Sequence, residues 1–258
     1  MTVSGTNFGK AAADYGAFRA GFPESIFDRL ANFDVGLSGQ VVVDLGTGTG
    51  TLARGFAQRG CDVIGVDPDP RMIAQAKELD RESEVSVAYV QAAAESTGLD
   101  SELANIITAG QCWHWFDRSR AIKEAIRVLK PGGKLVIAHF DWLPLAGNVV
   151  EATEKLIQQH NPAWHLGGGQ GIYPQWLPGL NEAGIEGIKT FSYDLTVSYT
   201  PEAWRGRIRA SAGVAALDEE SAQNFDRDLA NIISERYSSG ELTVPHRVFA
   251  IVTGPIGI

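Results

Sequence analysis

The run Val41-Val42-Val43-Asp44-Leu45 is short, β-branched and apolar at consecutive rather than alternate positions. Such a run suits a strand buried on both faces of a parallel sheet. Upstream, Pro23 is followed by Ile26, Phe27 and Leu30 at helical spacing, and the pattern breaks at Gly36-Leu37-Ser38-Gly39. Downstream, Leu52, Ala53 and Phe56 predict a short helix that Gly60 can end, and Asp62 to Asp67 reads as a second strand. Pro70 is placed for a first helical turn, with Ile73, Ala76 and Leu79 as the apolar stripe. The alternation continues with strands at Val85 to Val90, Ala104 to Ala109 and Lys134 to Phe140, and with a helix from Ala121 to Leu129. It implies right-handed βαβ crossovers and a parallel sheet, that is, an α/β fold. Lys130-Pro131-Gly132-Gly133 predicts a tight turn before the fifth strand.

Beyond the fifth strand the pattern changes. A helix is expected near Val149 to Ile157, an aromatic and glycine-rich loop from Asn161 to Pro178, and a strand region from Gly184 to Tyr199. Two helices follow, Glu202 to Val214 and Ser221 to Tyr237, the second with Phe225, Leu229, Ile232 and Ile233 on one stripe. Val248 to Val252 reads as a last strand. No linker separates a second domain, so one domain over residues 1–258 is expected: a lid over about 1–36, a ligand-binding core over about 37–142, and a cap with the last strands over about 143–258.

Composition narrows the function. With Asp+Glu 31 against Lys+Arg 22 the net charge is −9, which argues against nucleic acid or an anionic membrane surface as the main partner. No apolar stretch approaches the ~18 residues that span a bilayer. The two cysteines, Cys61 and Cys112, are too few for a disulfide framework and read as buried thiols of a reducing compartment. With no secretory signal visible, the reading is a soluble cytoplasmic protein. His160 and His165 do not share a helix face and lack a carboxylate pair, so no metal site is expected.

Candidate chemistry collects at the ends of the first two strands, where open α/β sheets bind ligands. Gly46, Gly48 and Gly50 let backbone approach a ligand, and Asp67, ending the second strand, can accept hydrogen bonds from both hydroxyls of a ribose. A dinucleotide fingerprint starting at Gly46 requires glycine at position 51, where Thr51 stands. Instead Asp44 precedes Gly-x-Gly-x-Gly by two positions. At this point the chain resembles the class I S-adenosylmethionine-dependent methyltransferases, whose first motif has that form.

Further segments follow in the family's order. Ala94-Glu95 resembles the segment along the adenine edge; Gln111-Cys112-Trp113-His114-Trp115-Phe116-Asp117 resembles its Gln-Ala-x-His-Trp-Phe stretch; Arg127 to Gly133 resembles the turn before strand five. Tyr15 to Pro23 resembles a Tyr-x-x-x-Arg-Pro-x-Tyr-Pro segment that folds over the cofactor, with Ala20 in place of the first proline, and Ala104 stands where many members have Asp. The likeness covers about residues 8–140 and is strongest to the small-molecule group with ubiquinone/menaquinone-biosynthesis-like and trans-aconitate-methyltransferase-like members.

The resemblance implies a Rossmann-like, doubly wound sheet of seven mostly parallel strands under a helical and aromatic cap. It also implies S-adenosyl-L-methionine as cofactor, held by Tyr15, Arg19, Asp44, Gly46, Gly48, Gly50, Asp67, Pro68, Met72, Ala94, Glu95 and Gln111. Its reaction is in-line displacement at a methyl group, which needs alignment and exclusion of water rather than a covalent nucleophile. His114 is the first choice for a general base or acceptor-positioning group, with a purely structural role as the alternative; His139 is the second choice. Trp113, Trp115, Trp142, Trp164, Tyr173, Trp176 and Trp204 suggest a small-molecule acceptor that is partly apolar or aromatic. An NAD(P)-dependent oxidoreductase and a non-catalytic S-adenosylmethionine-binding module remain the rival readings. The acceptor, its reacting atom and the oligomeric state are not legible in the sequence.

Overall fold

The computed structural model describes residues 21–237 and 240–257. Its strands are β1 (Val41–Leu45), β2 (Asp62–Asp67), β3 (Ala88–Gln91), β4 (Ala104–Gly110), β5 (Leu129–Trp142), β6 (Lys189–Tyr199) and β7 (Leu242–Val252). They form one seven-stranded sheet in the order β3-β2-β1-β4-β5-β7-β6. The pairs β1 with β2, β1 with β4, β2 with β3 and β4 with β5 are parallel. β7 runs against β5: Thr253 N–H donates to the Leu135 carbonyl, whereas Leu143 N–H donates to the Pro245 carbonyl. The order reverses direction at β1 and β4, and this is where a doubly wound sheet opens a crevice at its carboxyl edge.

Helices α1 (Glu24–Ala31), α2 (Thr51–Ala57), α3 (Pro70–Glu82) and α4 (Arg118–Val128) alternate with the first five strands. Their starts are fixed locally. Asp69 caps α3 by accepting Arg71 N–H ahead of Pro70 in the first turn, and Asp117 caps α4 by accepting Arg120 N–H. Later come α5 (Val149–His160), α6 (Leu177–Glu182), α7 (Pro201–Arg209), α8 (Ala212–Ala215) and α9 (Glu219–Arg236).

The chain sorts into two compact units. One holds residues 21–139, 173–192 and 249–257, with a core in which Val43, Leu45, Ile107, Leu135 and Ile137 of the strands meet Trp113, Ile122, Trp176 and Leu180. The other holds residues 140–172 and 193–248, where Phe225, Leu229 and Ile233 of α9 are buried among Val150, Ile157, Trp204 and Val244.

Several elements depart from the sequence reading. Strand five begins at Leu129, because the segment expected as a turn pairs with a distant partner. Gly132 has φ +83°, its N–H donates to the Ile256 carbonyl, and Ile256 N–H returns a bond to Gly133. The expected loop ending at Pro178 contains a 3₁₀ turn, Pro174–Trp176, and the start of α6. The helix expected from Glu202 to Val214 is two, since Ser211 is extended at φ −78°, ψ 152°. β7 starts at Leu242, six residues earlier than Val248, and runs through Pro245.

Candidate active site at the carboxyl ends of the central strands

Leaving β1, the chain turns sharply through Gly46, Gly48 and Gly50, at φ +62°, +57° and +78°. L side chains are strained in this left-handed region. The three glycines have different neighbours. A Cβ on Gly46 would lie 2.9 Å from Cys112 Cβ and Sγ, and one on Gly50 2.7 Å from the Tyr89 hydroxyl, so packing alone demands glycine at both. Among the described residues a Cβ on Gly48 would meet only Met72 Cε, at 3.4 Å, so with respect to them the loop presents its backbone to open space.

The loop is fastened from several sides. Thr47 N–H donates to the Val66 carbonyl of β2 at 3.0 Å, and Gly50 N–H to the Thr47 carbonyl at 2.9 Å. Beneath it Asp44 is 2% exposed, and its two oxygens accept the hydroxyls of Thr47 at 2.7 Å and Thr108 at 2.6 Å. Burial pushes its carboxyl up to about 6 against these two bonds. Asp44 therefore acts on the site through the loop it holds, and Thr47 and Thr108, absent from the sequence reading, complete that lock. A hydroxyl residue inside the glycine loop was the available signal for Thr47; Thr108 carried none. Arg54 of α2 adds a second anchor, donating to the Thr49 carbonyl at 2.8 Å and pairing with Asp80, which also accepts the Tyr89 hydroxyl at 2.7 Å.

Asp67 ends β2 beside this loop. One carboxylate oxygen accepts Gly48 N–H and the other Asp69 N–H, each at 2.9 Å. Burial lifts its carboxyl above the ordinary range against those bonds. A carboxylate offers about four lone-pair directions; two are taken, leaving one per oxygen for a neighbouring diol. Met72 is buried at the start of α3, and Pro68 is exposed.

The end of β4 supplies the other side. Gln111 has φ +58°, and its N–H donates to the Ala138 carbonyl at 2.8 Å. The Cys112 thiol donates to the Leu45 carbonyl at 3.1 Å, tying this loop to β1. His114 is exposed; its ring lies 4.5 Å from that of Trp115 and 5.6 Å from that of His139. His139, 2% exposed near the end of β5, packs 4.5 Å from Tyr173 and 4.9 Å from Trp176, which stack on each other at 4.2 Å. Ala94 is buried, and Glu95 accepts Asp117 N–H at 2.8 Å, so that this carboxylate anchors the loop after β4.

The structure thus gathers Gly46, Gly48, Gly50, Asp67 and Met72 around one turn, with Gln111 and His114 on the loop after the adjacent strand. Tyr15 and Arg19 lie outside the described residues. The aromatic set divides: Trp113, Trp115, Tyr173 and Trp176 belong to the unit with the glycine loop, and Trp142, Trp164 and Trp204 to the other. Among the described residues no group of three or more His, Cys, Asp or Glu is placed to hold a metal ion, and no helix is long and apolar enough to cross a membrane.

Known proteins match this region. The methyltransferase domain family matches residues 43–137. An uncharacterized methyltransferase of Mycobacterium bovis is 36% identical over 129 residues, 50% of this chain and 50% of its own length. A ubiquinone biosynthesis O-methyltransferase of Pseudomonas fluorescens is 35% identical over 114 residues, 43% of this chain and 49% of its own. The chain thus spans about half the length of the curated relatives it matches. In fold it is similar to a Haemonchus contortus phosphoethanolamine N-methyltransferase solved with phosphomonomethylethanolamine and S-adenosylhomocysteine: TM-score 0.60, 20% identity, 98% of this chain and 60% of that one. Residues 43–137 of this chain thus match the methyltransferase domain family, and the seven-stranded sheet is of the Rossmann-like kind found in methyltransferase structures.

Proposed function

We propose that the protein transfers a methyl group from S-adenosylmethionine to a small-molecule acceptor. The observation that carries this reading is the contact between Gly48 and Asp67. An open glycine and a buried carboxylate with unused lone pairs meet 2.9 Å apart at the topological switch of the sheet. That geometry fits an adenosine: Asp67 takes the two ribose hydroxyls, the backbone at Gly46 and Gly48 lies along the amino-acid end, and Met72 and Pro68 flank the base. Ala94 and Gln111 line the neighbouring loops, and the family resemblance adds Tyr15 and Arg19, outside the described residues, to the cofactor-binding set. The bound sulfonium supplies an electrophilic methyl group. The chain's part is to hold and align it, exclude water, and take a proton where the acceptor carries one.

His114 is the proton acceptor or acceptor-positioning group of this reading, since it is exposed on the loop after β4. His139, enclosed by rings, orients the surrounding aromatic side chains. The aromatic surroundings favour an acceptor that is partly apolar or aromatic. The net charge of −9 favours a small molecule over nucleic acid, and the two buried thiols fit a reducing compartment such as the cytoplasm. Calorimetric titration with S-adenosylmethionine, S-adenosylhomocysteine and NADH tests the cofactor assignment. Micromolar binding of the first two without NADH is expected, and binding of NADH alone overturns it. Methyl transfer to some member of an acceptor panel then separates an enzyme from a binding module.

A further inference from the structure

Helix α3 lies against the glycine loop along one face. Met72, Ala76 and Asp80 follow one another at four-residue spacing, so they share that face. Each meets a different point of the segment Gly48 to Arg54. The Met72 Cε lies 3.4 Å from where a Cβ on Gly48 would stand, and the Ala76 Cβ lies 3.5 Å from one on Gly50. At the far end Asp80, 4% exposed, pairs with Arg54 of α2. The same guanidinium donates to the Thr49 carbonyl at 2.8 Å and lies 3.5 Å from the Ala76 carbonyl. One arginine thus ties loop, helix and carboxylate together.

Tyr89 of β3 completes the arrangement. Its ring crosses β2 at Gly65, where a Cβ would stand 2.7 Å from Tyr89 Cε1, and its hydroxyl donates to the second Asp80 oxygen at 2.7 Å. A Cβ on Gly50 would stand 2.7 Å from that hydroxyl, so two glycines leave the room that Tyr89 occupies. Burial and the neighbouring carboxylate raise the phenol above its ordinary range, so it stays a donor. A buried ion pair adds little net stability, because desolvation of both charges offsets their attraction. Register is what it fixes well: the rigid Arg54 fork meets the Thr49 carbonyl and the Asp80 carboxylate together in one alignment of α3 against the loop.

We propose that Asp80 and Tyr89 are positioning residues for the bound nucleoside: through Arg54 they set the register of α3 against the glycine loop, and with it the place of Met72 beside Gly48. Asp80 lies about 12 Å along the helix from Met72, so it acts through the helix and not on the ligand. The inference rests on the adenosine assignment above. The full chain, Asp80→Asn, Tyr89→Phe, Arg54→Met and the double variant Arg54→Met/Asp80→Asn are titrated calorimetrically with S-adenosylhomocysteine at a temperature where each is folded, and their melting temperatures are recorded. Asp226→Asn is the control, because in the other unit Asp226 pairs with Arg205 and Arg209 and its loss breaks ion pairs of the same kind.

Asp80→Asn is expected to weaken binding about fivefold and Tyr89→Phe about threefold, whereas Asp226→Asn melts lower and binds as the wild type does. The losses in Arg54→Met and Asp80→Asn should not add in the double variant, as for residues that act as one unit. Tyr89→Phe removes a single hydroxyl and decides alone if Asp80→Asn does not fold. Unchanged affinity in both Asp80→Asn and Tyr89→Phe overturns the proposal and leaves the network a structural brace. Equal weakening in Asp226→Asn also overturns it, by tracing the loss to general destabilisation. A wild type that binds no S-adenosylhomocysteine is a different result: it refutes the adenosine reading, and this inference falls with it.

Discussion

Asp44→Asn isolates the lock beneath the glycine loop. In the folded protein burial moves this carboxyl from its ordinary 3.8 to about 6, although two threonine hydroxyls donate to it. A carboxyl raised on folding binds its proton more tightly in the native state, so between about pH 4 and pH 6 the native protein holds more protons than the unfolded chain. Stability must then fall as pH rises through this window. At about 1.4 kcal/mol per pH unit, the rise amounts to about 3 kcal/mol. Asparagine keeps the shape and can still accept one hydroxyl while donating to the other, but it does not titrate. The variant and wild type should therefore coincide near pH 4, and Asp44→Asn should be the more stable by up to about 3 kcal/mol at pH 8. Urea unfolding followed by tryptophan fluorescence at unit steps of pH measures this directly. Asp67, also raised, is present in both proteins, and the comparison between them removes most of its contribution. Parallel stability curves, or an Asp44→Asn protein weaker than wild type at pH 8, would refute the reasoning and show that the loop needs the charge itself.

The remaining predictions concern ligand and backbone. Asp67→Ala should weaken S-adenosylmethionine binding by about 1–3 kcal/mol through lost charged hydrogen bonds; equal affinity by calorimetry sinks the ribose assignment. Gly48→Ala, with room for a methyl group, should cost about 1–2 kcal/mol of stability from its left-handed backbone yet lose most cofactor affinity. Gly46→Ala should melt lower still, since its Cβ strikes Cys112, and equal melting of the two variants contradicts the packing described. His114→Ala should lower turnover far more than cofactor affinity and leave the melting temperature within a degree or two, because the side chain is exposed; normal turnover returns His114 to a structural role.

Legibility in the sequence followed locality. The strand at Val41 to Leu45 and the loop after it were readable because burial on both faces and the demand for glycine leave their mark on consecutive residues. The start of β5 was not: Pro131-Gly132-Gly133 has the composition of a turn, and only pairing with Ile256, 123 positions beyond Gly133 along the chain, makes it part of a strand. In α6, Pro178 and Gly179 look like breakers, yet the proline occupies the first turn, where its missing N–H costs nothing. The same limit applies to side chains. Asp44 and Asp67 could be marked as important, but only the fold distinguished the one that holds the loop from the one whose lone pairs remain available. Trp142 and Trp204 had no common motif, because segments 62 positions apart bring their rings together.

The fastening of the glycine loop has a kinetic consequence. Asp44, itself held by Thr108, and Val66, Asp67 and Arg54 already fix the turn from four directions, so its bound shape should be its resting shape. A ligand arriving at this turn selects nothing and waits for nothing, and no fraction of its affinity is lost to an incompetent population. Arrival should then be nearly equal for cofactor, product and their analogues, and discrimination among them should lie in how long each one stays.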